Sequence, residues 1–192
     1  MAQIPIEIRY DDVLLAENLT MGMMNSLRYD SFFEHFRKAD TFLEEKNIHC
    51  ILSVLSEGID VYSEWVQYIK DRQWRYKIEL HGESHWNYTH LTEKDAYESL
   101  ARAKDKIETT FGVQVTCWYP PFGKRHFPIW TDRVCRKLFM QFDTKGRYDR
   151  IHRRFHFWNS RDRERLAELY SRYGDIITKA DRRMATDTRH QR

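Results

Sequence analysis

Ile4, Ile6, Ile8 and Tyr10 alternate with Pro5, Glu7 and Arg9, a period of two that predicts a strand ending at Asp11-Asp12. The period then lengthens. Phe32, Phe36, Ala39 and Leu43 recur at helical spacing and stop near Lys46-Asn47, and Cys50 to Leu55 is a short apolar strand. Val61, Trp65, Tyr68 and Ile69 predict a second helix, and Tyr76, Ile78 and Leu80 a third strand running into His81. Thr92-Glu93-Lys94-Asp95 resembles a capping box and opens a helix with the stripe Ala96, Leu100, Ala103 and Ile107, which Gly112 stops. Val113, Val115 and Cys117 alternate toward a rigid turn at Trp118-Tyr119-Pro120-Pro121. Pro128 fits the first turn of a helix through Trp130, Val134 and Leu138. Leu138 to Phe142 and Arg154 to Trp158 read as further strands, and Leu166, Leu169 and Tyr173 as a last helix.

Strands and helices alternate, with connections long enough to cross over. The fold class is therefore α/β, with a parallel sheet, open or closed into a barrel, and helices outside it. Chemistry in such folds collects at the carboxyl ends of the strands. Asp11 and Asp12 fall there, as do His81, His85 and the segment from Tyr119 to Gly123, with His156 on a late strand. No repeat or low-complexity segment interrupts the pattern. Residues 1–178 read as a single domain and 179–192 as a basic, flexible tail.

Composition narrows the partners. Of 192 residues, 41% are apolar and 15% aromatic, enough for a core, and 32% are charged. The net charge is only +3, with the basic excess gathered from Arg147 to Arg165 and after Arg182, too weak and broken a patch for nucleic acid to be the leading partner. Three widely spaced cysteines, Cys50, Cys117 and Cys135, form no CxxC pair and read as reduced, buried or half-buried thiols. The N-terminus lacks a basic and apolar leader, and no run approaches the roughly 18 apolar residues of a membrane helix. A cytoplasmic protein without a membrane partner is expected.

His81-Gly82-Glu83-Ser84-His85 places two imidazoles four residues apart after a strand, and Asp11-Asp12 supplies carboxylates after another. Neutral imidazoles with a carboxylate suit a catalytic divalent metal, and a second carboxylate can serve as a base. Each feature has a plainer reading. An Asp pair after a strand commonly forms a turn or helix cap, and Gly82 argues against one regular helix across the histidines. The segment is not a zincin motif, since Glu83 is two residues past His81. His90, just before a helix start, reads as surface. Trp86, Trp118, Tyr119, Phe122 and Trp158 could form an aromatic rim for sugar rings or serve as core; Trp65, Trp74 and Trp130 read as packing.

Taken in order, Tyr10-Asp11-Asp12, His81-Gly82-Glu83-Ser84-His85 with Leu91-Thr92 behind it, Trp118-Tyr119-Pro120-Pro121-Phe122-Gly123 and Phe155-His156-Phe157-Trp158 resemble the motifs of the polysaccharide deacetylases of the NodB-homology type, carbohydrate esterase family 4. The resemblance spans about residues 4–160. It implies a distorted, shortened (β/α) barrel that removes N- or O-acetyl groups from sugars with a divalent metal, zinc foremost and nickel or cobalt otherwise. By the same resemblance Asp12, His81 and His85 are the metal ligands, Asp11 the general base and His156 the general acid, with His152 in reserve. Tyr119, Pro121, Phe122 and Trp158 would line the substrate, a backbone N–H near Phe122 helping the metal to hold the oxyanion. Two departures stand out. Tyr119 replaces the family's arginine, unless Arg9, Lys124 or Arg125 supplies the charge, and the stretch from Gly123 to His156 is short. The expected substrate is an acetylated saccharide or small amide, acted on in the cytosol or by a phage protein. Its rivals are a catalytically weakened glycan-binding protein of the same fold and a basic nucleic-acid or assembly protein.

Overall fold

The alternation at the N-terminus and the apolar runs behind it form a parallel α/β arrangement in the computed structural model, which describes residues 6–16, 29–123, 127–143, 151–155 and 168. In chain order the elements are β1 (Ile6–Val13), α1 (Tyr29–Glu45), β2 (Cys50–Leu55), α2 (Ser63–Asp71), β3 (Tyr76–Gly82), α3 (Glu93–Phe111), β4 (Cys117–Trp118), α4 (Thr131–Lys137), β5 (Gln141–Phe142) and β6 (Ile151–Phe155). Hydrogen bonding orders the strands β5-β4-β3-β2-β1-β6. The pairs β1–β6, β3–β4 and β4–β5 are parallel. Among the described residues, no helix is long and apolar enough to cross a membrane.

The chain divides into two compact units, one of Met1–Tyr10, Ser26–Ile51 and Gly146–Arg192, the other of Asp11–Asn25 and Leu52–Lys145. In the first, β1 runs beside β6 from Ile6 opposite Ile151 to Tyr10 opposite Phe155. Helix α1 buries Phe33, Phe36, Ala39 and Leu43; Phe36 meets Tyr10 edge-on at 6.0 Å. The expected stripe began at Phe32, whose side chain lies outside the described residues. Asn47 leaves the helix in the left-handed region (φ 51°), and the Ile48 amide donates to the Leu43 carbonyl at 2.8 Å, closing the last turn.

In the second unit the apolar stripes settle where their spacing puts them. Ala96, Leu100, Ala103 and Ile107 of α3 are fully buried. Thr92 caps α3, its hydroxyl oxygen accepting the Asp95 amide at 3.2 Å. Gly112 ends it at φ 64° with its N–H on the Glu108 carbonyl. Helix α2 buries Trp65, Val66 and Ile69, while Val61 is exposed. Trp74, expected to pack, is 65% exposed, with the Arg75 guanidinium 5.9 Å from its ring. Cys50, Cys117 and Cys135 are buried free thiols. Burial pushes Cys117 and Cys135 up to about 12, so both stay protonated at neutral pH.

Elements late in the chain depart from expectation for identifiable reasons. The expected strand from Val113 shrinks to Cys117–Trp118, because the Thr116 and Cys117 amides donate to the Glu79 carboxylate at 2.8 and 2.7 Å. Glu79 is wholly buried, and Lys77 pairs with it at 2.8 Å. Glu79→Ala would strand both amides and should lower unfolding free energy by about 3 kcal/mol, measurable by urea titration. Helix α4 starts at Thr131, after a turn in which the Thr131 amide donates to the Pro128 carbonyl at 3.0 Å. Its closing turn takes Leu138 to Met140, with Phe139 at φ 55° and the Met140 amide on the Cys135 carbonyl at 2.9 Å, which leaves only Gln141–Phe142 for β5. Strand β6 begins at Ile151, three residues before Arg154. Glu168 is helical; the remainder of the expected last helix and the tail lie outside the described residues.

Candidate metal centre

Three polar side chains meet at the carboxyl ends of β1 and β3. Strand β1 carries Asp11 and Asp12, 4% and 6% exposed, to its end, where Asp12 takes φ 60°. An Asp tolerates this left-handed conformation better than a branched residue, and it turns the chain immediately after the carboxylate. Strand β3 ends with His81 and Gly82. A Cβ on Gly82 would lie 2.9 Å from both the Ser84 carbonyl oxygen and the Tyr88 hydroxyl, so only glycine lets the loop curl tightly enough to return His85 toward His81. Tyr88 fixes that curl: its hydroxyl accepts the Glu83 amide at 3.0 Å and bonds the Ser99 hydroxyl at 3.2 Å. Burial pushes the Tyr88 phenol up to about 12, which keeps it neutral.

Donor atoms of Asp12, His81 and His85 lie within 4.8 Å of one another. Asp12 Oδ1 is 3.0 Å from His81 Nε2 and 3.1 Å from His85 Nε2. The opposite edge of the His81 ring sets its tautomer. Nδ1 faces the Tyr119 carbonyl oxygen at 2.5 Å and the Ser53 hydroxyl at 3.1 Å. A carbonyl can only accept, so Nδ1 must carry the hydrogen. In neutral His81 the Nε2 lone pair then points at a carboxylate oxygen, a repulsive pairing unless positive charge stands between them. The donor set therefore fits a cation, with a carbonyl behind the first imidazole in the way metal-binding histidines are commonly held. Burial alone would raise the Asp12 carboxyl; an N–H and positive charge on the imidazole side, which a bound cation would replace, outweigh it and hold the group well below the usual carboxylate range.

The surroundings stiffen the pair. Trp118 Nε1 donates to the His81 carbonyl at 3.0 Å, and the Tyr119 amide to the Leu80 carbonyl at 2.8 Å. Phe122 stands edge-on to His85 at 4.5 Å, with its own backbone in the left-handed region at φ 66°. Pro120 and Pro121, both buried, precede this strained residue and limit its alternatives.

Several candidates fall elsewhere. Asp11 is buried beside the cluster but is not a member of it. Tyr119 turns its ring into the core, 4% exposed, and presents its carbonyl to His81; Trp118 is wholly buried. Of the expected aromatic rim, Trp86 and Phe122 remain exposed, at 39% and 52%. His90 is at the surface, its Nε2 3.1 Å from Asn87 Nδ2. His156, Trp158, Lys124 and Arg125 lie outside the described residues, as does the side chain of His152; Arg9 is buried two positions before Asp11. Sequence reasoning missed Ser53, although a hydroxyl inside the apolar run Cys50 to Leu55 was a visible signal. It also missed the Tyr119 carbonyl, which no side chain announces.

A family model described as polysaccharide deacetylase matches residues 24–139, which include both histidines and the Pro-Pro turn and begin after the Asp pair. No curated protein matches the sequence. Among solved structures, the peptidoglycan deacetylase PdaC from Bacillus subtilis is similar over 98% of this chain and 97% of its own, with 16% identity and a TM-score of 0.61. A CE4 family pseudoenzyme from Bacillus anthracis aligns over 94% of this chain with 12% identity and a TM-score of 0.63. The present chain spans only 62% of that protein's length. A family 4 carbohydrate esterase from Bacillus anthracis covers 92% of this chain and 77% of its own, with 17% identity and a TM-score of 0.64.

Proposed function

Since the chain belongs to the polysaccharide deacetylase family, we propose that it is a metal-dependent hydrolase that removes N- or O-linked acetyl groups from a carbohydrate or a related amide. The observation that carries this reading is the convergence of Asp12, His81 and His85 on one point, with the His81 tautomer already set. Asp12 Oδ1 and the two Nε2 atoms would hold the ion, zinc foremost and nickel or cobalt otherwise. A divalent ion there supplies Lewis acidity toward a carbonyl oxygen and acidifies water.

The chain's own residues do the rest. Asp11 takes the proton of the attacking water as its oxygen bonds to the acetyl carbon. A backbone N–H near Phe122 donates to the oxygen that becomes negative, and the paired prolines keep that donor from swinging away. As the C–N or C–O bond breaks, the leaving amine or alcohol needs a proton, a role assigned with the resemblance to His156. Phe122, packed on His85, keeps that imidazole from rotating out of the cluster. The favoured substrate class is peptidoglycan or a related polymer of acetylated amino sugar, supported by the similarity to a peptidoglycan deacetylase.

The test is release of acetate from acetylated chito- and peptidoglycan oligomers before and after chelation. Release that disappears with the metal and returns on adding zinc, nickel or cobalt supports the reading. Metal-independent release, or none with the site loaded, removes it. Tyr119 in place of an arginine favours one second reading, a glycan-binding protein that no longer turns over; sugar affinity without acetate from any substrate is its signature.

A further inference from the structure

Beside the His81–His85 loop lies a recess of about 440 Å³, lined among others by Glu57, Asp60, Glu83, Trp86, Arg102 and Lys106. Its charges do not cancel. Arg102 forks onto Glu83, with nitrogen–oxygen distances of 3.0 and 2.9 Å, and Lys106 pairs with Asp60. Glu57 accepts only a neutral partner from the recess, the Ser84 hydroxyl, and no lysine or arginine pairs with it among the described residues. By formal count three carboxylates face two cations, and Glu57 is the one without a lysine or arginine partner; burial and the neighbouring Glu83 charge push its carboxyl up, against the pull of the Ser84 hydroxyl, the Ala16 amide and His85.

Trp86 lines the same recess with its indole 39% exposed. An indole face and a carboxylate lacking a counter-cation are together the recognition set for an ammonium group: the ring quadrupole attracts the cation and the carboxylate accepts its hydrogens. A neutral sugar would use the ring but would leave the surplus charge unanswered. The recess also adjoins the metal centre through the chain itself, since Ser84 and Trp86 flank His85. The Glu57 amide, moreover, donates to the Glu83 carbonyl at 3.0 Å and anchors one wall to the other.

We propose that this recess binds the free ammonium of an amino sugar, so that the favoured substrate is a partly deacetylated chain with an unacetylated unit beside the acetylated one. The acetylated half of that statement rests on the function proposed above; the ammonium half does not. The experiment is calorimetric titration of the full chain with glucosamine oligomers and with fully N-acetylated oligomers of equal length. The amine-bearing oligomer should bind at least tenfold more tightly. Glu57→Gln, which keeps the size and the Ser84 hydrogen bond, should abolish that preference, and Trp86→Ala at the surface should weaken both oligomers severalfold. Equal affinity of the two oligomers for the wild type, or an undiminished preference in Glu57→Gln, overturns the proposal. Acetate release measured on the same samples separates the two readings: absent release with the preference intact strikes only the deacetylase reading, and intact release without the preference strikes only this one.

Discussion

Asp11→Asn should lower acetate release by about three orders of magnitude, some 4 kcal/mol of barrier, while metal content stays that of the wild type. The substitution keeps the shape of the side chain while removing its charge and its capacity to take a proton. Asp11 is suited to that task by position: it is buried at the end of β1, next to Asp12 yet outside the three-residue cluster. Two measurements on one preparation read the outcome, turnover by acetate release and metal by elemental content. Loss of metal would make Asp11 a ligand. Turnover within a factor of a few of wild type would take the base role from it.

The second large effect concerns the imidazoles. His81→Ala combined with His85→Ala should reduce affinity for zinc, nickel or cobalt by far more than the roughly hundredfold lost when a supporting hydrogen-bond partner is removed, and acetate release should vanish with it. His85 is the safer single substitution, since its side chain is 20% exposed, whereas His81 is buried among Ser53, Asp12 and Tyr119. Removing His81 alone also takes away the N–H that the Tyr119 carbonyl accepts, so a stability measurement should accompany its metal content. If wild type and double variant hold equally little metal after loading, the three residues are not ligands.

The parts of the fold legible in the sequence were those where side-chain pattern alone decides the outcome. The α3 stripe from Ala96 to Ile107, its Thr92 cap and its Gly112 stop follow from spacing and local backbone chemistry. The α/β alternation followed too, and with it the expectation that strand ends carry the polar cluster. What escaped was settled by backbone polar groups. Val113 to Cys117 alternates like a strand, but a buried carboxylate thirty-seven residues upstream in sequence, on Glu79, captures the amides of Thr116 and Cys117. Leu138 and Phe139 look strand-like, but the carbonyls of α4 claim their amides. At the site, residue type and spacing marked the Asp11-Asp12 pair, His81 and His85, and only the family resemblance singled out Asp12 from its neighbour. The Tyr119 carbonyl behind His81 could not, because every residue has one.

Ser99 sits on a helix that offers no donor atom to the cluster. Its hydroxyl nevertheless holds Tyr88, and Tyr88 holds the Glu83 amide midway between the two imidazoles. Ser99 therefore bears on the cluster from a position with no chemistry of its own. A Ser99 replacement that frees the phenol would loosen the spacing of the histidines from more than a dozen residues away in sequence, and a comparison confined to catalytic motifs would overlook the cause.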